Sequence, residues 1–240
     1  MDRSGLPGPR ANLELVAVAA DVVPEARLRL WASLGPTDAP AGTATEFLPV
    51  CGAVGLGRLM VESADDAVRR DAILHTLRDL ARDPRWRVRE GVAMALQRWG
   101  AAEMDALLPA MRSWAASEDR LVQRAVVAGL CEPPLLHDAA NAAEVVAILD
   151  RLTATLVAAD DRRTDAYRVL RQALGYGWSV SIVAVPEPGW AAFERWAADG
   201  DPDIRWIVRE NLGKHRLQRL DGARVERLAG QAGRSVPSRS

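Results

Sequence analysis

The pattern Arg-Trp-x-Val-Arg-Glu occurs twice in this chain, at 85–90 and again at 205–210. A pattern that returns after 120 residues constrains the fold more than composition does, because both copies must meet packing surfaces of the same kind. Around the first copy, Val88, Val92, Ala95, Leu96 and Trp99 fall at helical spacing and form one apolar face. Asp83 is placed to cap that helix and Pro84 to open it. One helix cannot bury such a stripe alone. The interval divides into three steps of about 40 residues, the length of a stacked helix pair. Weaker starts stand near those points, at Asp119-Arg120-Leu121-Val122 and at Asp165-Ala166-Tyr167-Arg168.

The stretch from Asp83 to Leu96 resembles the HEAT-repeat family, whose signature is Asp-Pro, a short spacer, Val-Arg, then small and aliphatic residues at helical spacing. Residues 201–213 carry a reduced form of it. The resemblance implies an all-α protein, a right-handed α-solenoid of HEAT-like repeats. The expected organisation is a flexible leader over 1–11, one repeat domain over 12–232 and a flexible tail over 233–240.

Helical periods are expected at 13–22, 25–34, 44–61 and 66–81, the last with Val68, Ala72, Leu77 and Leu80 inward. Gly52, Gly55 and Gly57 do not make a nucleotide-binding fingerprint, so they read as close-packing positions in an apolar helix. A partner helix follows at 103–116, then helices over 119–130 and 141–159. The run Val180-Ser181-Ile182-Val183-Ala184-Val185 has strand propensity but no sheet partner. It is assigned to a helix over 165–185, broken around Gly175-Tyr176-Gly177. Helices at 189–198, from 203, and at 221–230 complete the chain.

Composition excludes more than it selects. An apolar content of 49% supports a continuous core, and 31 basic against 32 acidic residues give no net field for nucleic acid. Cationic chemistry is almost all guanidinium, since Lys214 is the only lysine. Cys51, Cys131 and three scattered histidines form no ligand framework, so no metal and no cofactor is expected. The apolar runs at 13–23 and 178–186 are too short to span a bilayer, and a cytoplasmic location without membrane contact is expected.

The functional candidates are the tryptophans and arginines that fall off the packing stripes. Trp86, Arg89 and Glu90 in the first copy, and Trp206, Arg209 and Glu210 in the second, are expected to line a groove that binds a macromolecule, a protein before duplex DNA. The length, HEAT-like helices and Trp/Arg/Asp content also resemble the bacterial alkylpurine DNA glycosylases. That resemblance implies alkylated duplex DNA as substrate, an aromatic-acid site and backbone-contacting arginines. The family's Asn-Trp-Asp segment has no counterpart here, so no catalytic residue is carried over. Asp165, Arg168, Arg171 and Trp178 form the possible inner cluster of that alternative.

Overall fold

The computed structural model describes residues 3–8 and 11–232. Among these the fold is all-α, with eleven α-helices, two 3-10 turns and no strand. The chain divides into two compact units, Met1–Leu107 and Leu108–Ser240.

The first unit contains α1 (Leu13–Val22), α2 (Glu25–Ala32), α3 (Phe47–Glu62), α4 (Ala67–Leu80) and the first part of α5 (Trp86–Ala115). Its centre is α3, which packs against α1, α2 and α4. Glycine makes that centrality possible. A Cβ on Gly52 would stand 2.3 Å from the backbone nitrogen of Ala32, and one on Gly57 would stand 2.6 Å from the carbonyl oxygen of Ala95. The helices on both sides therefore approach α3 backbone to backbone. The span Ala44–Glu62 is long and apolar enough to cross a membrane, but 72% of that window is buried within the fold. The leader is less loose than expected over residues 3–8. Ser4 and Leu6 are buried, Leu6 joins the core with Val16, Val50 and Val54, and the Asn12 amide donates to the Ser4 carbonyl.

Two expectations fail within this unit. Val68 is 82% exposed and Ala72 is exposed too, because the buried stripe of α4 runs through Ile73 and Leu77, rotated from the one expected. Asp83 does not cap α5, which begins at Trp86. Its carboxylate instead accepts from the Arg85 amide at 2.8 Å and from the Arg85 guanidinium at 2.8 and 2.6 Å. The same guanidinium donates to the carbonyls of Leu34, Gly35 and Ala39 at 2.7, 3.2 and 2.9 Å. Arg85, 2% exposed, thus ties the loop after α2 to the start of α5.

α5 is two helices joined at Glu103, whose φ of −147° and ψ of 68° are non-helical. The second unit then continues with α6 (Arg120–Leu130), α7 (Ala139–Val157), α8 (Asp165–Ala184), α9 (Pro186–Ala197), α10 (Pro202–Leu212) and α11 (His215–Ala232). Its hub is α8, packed against α6, α7, α9, α10 and α11. Here Gly175 lies under the Trp206 ring and Gly177 against Val127 and Cys131. The helix runs unbroken through both glycines, and Val180–Ala184 are helical. The side chain of Asn211 explains how it continues there. Its amide donates to the Leu174 carbonyl at 2.9 Å and accepts from the Ser179 N–H at 2.8 Å, serving backbone groups on either side of the two glycines.

Helix starts follow side-chain caps. Asn12, Asp66, Asp119, Asp138, Thr164 and Asp201 each accept from backbone N–H groups in the first turn of the helix they precede. The expected core stripes are present: Val88, Val92, Leu96, Val208 and Leu212 are all buried. Cys51 and Cys131 are free, buried thiols, each pushed up to about 12 by desolvation. The tail expected over 233–240 lies outside the described residues.

Candidate functional site

The two copies of the recurring pattern enter their helices at different phases. Trp86 is the first residue of α5, whereas Trp206 stands one turn into α10, after Asp201 has capped it and Pro202 has opened it. The same six-residue pattern therefore presents its tryptophan in two environments.

Trp86 is 51% exposed, and it alone of the eight tryptophans has more than half its surface in solvent. Arg87 lies over its ring, with the guanidinium carbon 4.6 Å from the centroid. Arg87 is held there from behind by the buried carboxylate of Glu46 at 3.2 Å and by the Gly8 carbonyl. Beside the ring opens a groove of about 500 Å³. Val50, Gly91 and Ala93 contribute to it from α3 and α5, with Leu13, Met94 and Trp86, while Arg87, Glu90 and Gln97 supply its polar groups. Gly91 lets α5 pack closely on α3 beside the groove, since a Cβ there would meet the Ala53 side chain and the Val50 carbonyl at 3.0 and 3.2 Å. Glu90 thus reaches the groove beside Trp86. Arg89 turns away, donating to the carbonyls of Asp83 and Pro84 at 2.6 and 3.0 Å, and so fastens its own turn.

In the second unit Trp206 is partly covered, its ring lying across Gly175. Arg171 stacks on it at 4.6 Å and pairs with Asp203. Asp203 also accepts from the Tyr167 hydroxyl at 2.9 Å, and Arg162 reaches both Asp201 at 2.6 Å and Asp203 at 3.5 Å. These contacts lock α8, α10 and the loop before α8 together. Their electrostatics follow. Burial, then the Asp203 hydrogen bond, pushes the Tyr167 phenol well above its ordinary value. For Asp201, burial alone would raise the carboxyl, but the Arg162 hydrogen bond and the Asp203 and Ile204 N–H groups together bring it below its ordinary value. Arg209 is exposed, and its side chain has no hydrogen-bond or ion-pair partner among the described residues. Glu210 sits 3.8 Å from Lys214.

The four residues of the possible inner cluster do not assemble. Arg171 belongs to the network just described. Asp165 and Arg168 pair with each other on the surface at 2.8 Å. Trp178 is fully buried, donating to Thr153 at 3.0 Å and packing on Phe193 at 5.7 Å. Its place on α8, next to Gly177, turns it into the core and away from any ligand. Among the described residues no three His, Cys, Asp or Glu side chains are grouped to hold a metal ion.

Sequence reasoning missed Arg85, Arg87, Tyr167 and Asp203. The signal for the last was present as Asp201-Pro202-Asp203, two carboxylates two residues apart at a helix start. No protein-family model, curated protein or solved structure matches this chain.

Proposed function

We propose that this chain is a HEAT-like helical-repeat module that binds a segment of another protein, with the Trp86 groove of the first unit as the primary contact. The observation that carries this reading is a half-exposed tryptophan on an open, mainly apolar groove. Tryptophan in such a position contributes large apolar area while its edge stays wet, and Met94 can adapt to different side chains. Interface hot spots have this composition, aromatic and arginine together. The HEAT-like assignment is supported within the second unit by packing that skips one helix at a time: α6 on α8 and α8 on α10, with α7 on α9 and α9 on α11.

Selection from a displayed random peptide library on the full chain tests the reading. Binders should share an apolar anchor and lose about tenfold or more in affinity on Trp86→Ala at unchanged melting temperature. Binders indifferent to Trp86→Ala would overturn it.

A second reading, duplex DNA binding with or without removal of alkylated purines, draws on Arg209 and the Arg171–Trp206 stack. Titration with undamaged and alkylated duplexes at two salt concentrations, followed by analysis of released base, decides it. Salt-sensitive binding weakened by Arg209→Ala is its required outcome.

A further inference from the structure

The second unit carries another surface, made of residues that the Trp86 groove does not use. α8 and α10 run side by side in the same direction, with Arg171 meeting Asp203, Gly175 meeting Trp206 and Ser179 meeting Asn211 in turn. Along this pair stand two guanidinium stacks. Arg171 covers Trp206, and Arg216 at the start of α11 covers Tyr176, each at 4.6 Å. Arg216 also donates to the Tyr176 hydroxyl at 3.0 Å, and Tyr176 is 39% exposed. Arg168 lies two turns before Tyr176 on the exposed side of α8, and Arg209 lies one turn after Trp206. Together with Lys214 these arginines make five cations, against three carboxylates, Asp165, Asp203 and Glu210.

We infer that this face binds an acidic segment of a partner protein, its carboxylates taken by Arg209 and Arg168 in the field of the stacked Arg171 and Arg216, and its intervening side chains laid beside the exposed Tyr176. Charge complementarity supplies the occupant. Arg209 and Arg168 present exposed planar forks for carboxylates, while Arg171 and Arg216, held on their rings by Asp203 and the Tyr176 hydroxyl, add fixed positive charge beside them. Arg209 is the first anchor because binding it displaces no internal partner. The spacing of charge argues for protein over nucleic acid. The resident carboxylates are interleaved with the cations, so a phosphate backbone, charged at every step, would run past Asp203 and Glu210. A peptide places its charges only where the arginines are.

The test uses fluorescein-labelled peptides of about twelve residues with Glu at every second, third or fourth position and Leu or Ala between, each paired with its Gln-for-Glu analogue. At least one Glu peptide should bind roughly tenfold more tightly than its Gln analogue. That preference should vanish in Arg168→Glu/Arg209→Glu, whose two side chains are exposed, and survive in Trp86→Ala. The last variant separates this surface from the groove, so that either proposal can fail alone. Melting temperature confirms that the charge reversal leaves the fold intact. Equal binding of Glu and Gln peptides, or indifference to the charge reversal, overturns the inference. So does a short DNA duplex that binds through the same two arginines more tightly than every peptide.

Discussion

Arg85 shows how a charged residue in a recurring pattern can be wholly structural. Its guanidinium has a buried carboxylate on one edge and three carbonyls on the others, so removing it strands Asp83 in the interior. Arg85→Ala should cost about 3–5 kcal/mol in urea denaturation. The adjacent Arg89 holds two carbonyls of the same turn, and its substitution should also act on folding before binding. In the second unit, the depressed carboxyl of Asp201 makes part of the stability depend on pH. Its folded value lies below its unfolded one, so the contribution is fully present above about pH 4 and is lost as pH falls through the folded value. Arg162→Ala should therefore lower stability more at pH 7 than at pH 3, measured by denaturant titration at each pH. Equal losses at both would assign the effect of Arg162 to its carbonyl contacts with Val157 and Ala159.

At the scale of the helix, glycine separates close-packed from merely permissive positions. Gly52→Ala forces a methyl group into the backbone of Ala32 and should cost about 1–3 kcal/mol or more. Gly230→Ala, exposed on α11 with nothing near the added carbon, should instead gain up to about 1 kcal/mol. Thermal melts of the two variants should move in opposite directions. Much of this architecture was legible in the sequence. Stripes such as Val88-Val92-Leu96 carried the helical period, and the three glycines of α3 read correctly as packing positions. The α4 stripe was misread because Val68 and Ala72 repeat at helical spacing yet belong to the solvent face; apolar character alone does not fix a helix's rotation. The break expected at Gly175-Tyr176-Gly177 does not occur because Asn211, distant in sequence, supplies backbone partners there. The candidate site was legible in part. Trp86 and Glu90 were found together from the pattern alone, whereas Trp178 has the same composition signal and lies in the core. The phase of Trp206 depends on how many residues separate Asp201-Pro202 from the pattern, two more than separate Asp83-Pro84 from it.

At the scale of the whole molecule, no glycine- or proline-rich linker marks the boundary at Leu107–Leu108, which falls inside a stretch with continuous helical character. Each unit has its own buried hub, so Leu96→Ala, expected to cost about 2–5 kcal/mol, should raise amide exchange across α1–α4 before it does so in α7–α10. The two cysteines make the same comparison possible without isotope. Cys51 lies in the hub of the first unit and Cys131 against the hub of the second, and neither forms appreciable thiolate while enclosed. A disulfide reagent should therefore react with neither thiol in the native protein and with both in denaturant. Under intermediate conditions the two labelling rates become independent clocks, one for each unit, and their ratio reports which half of the protein opens first.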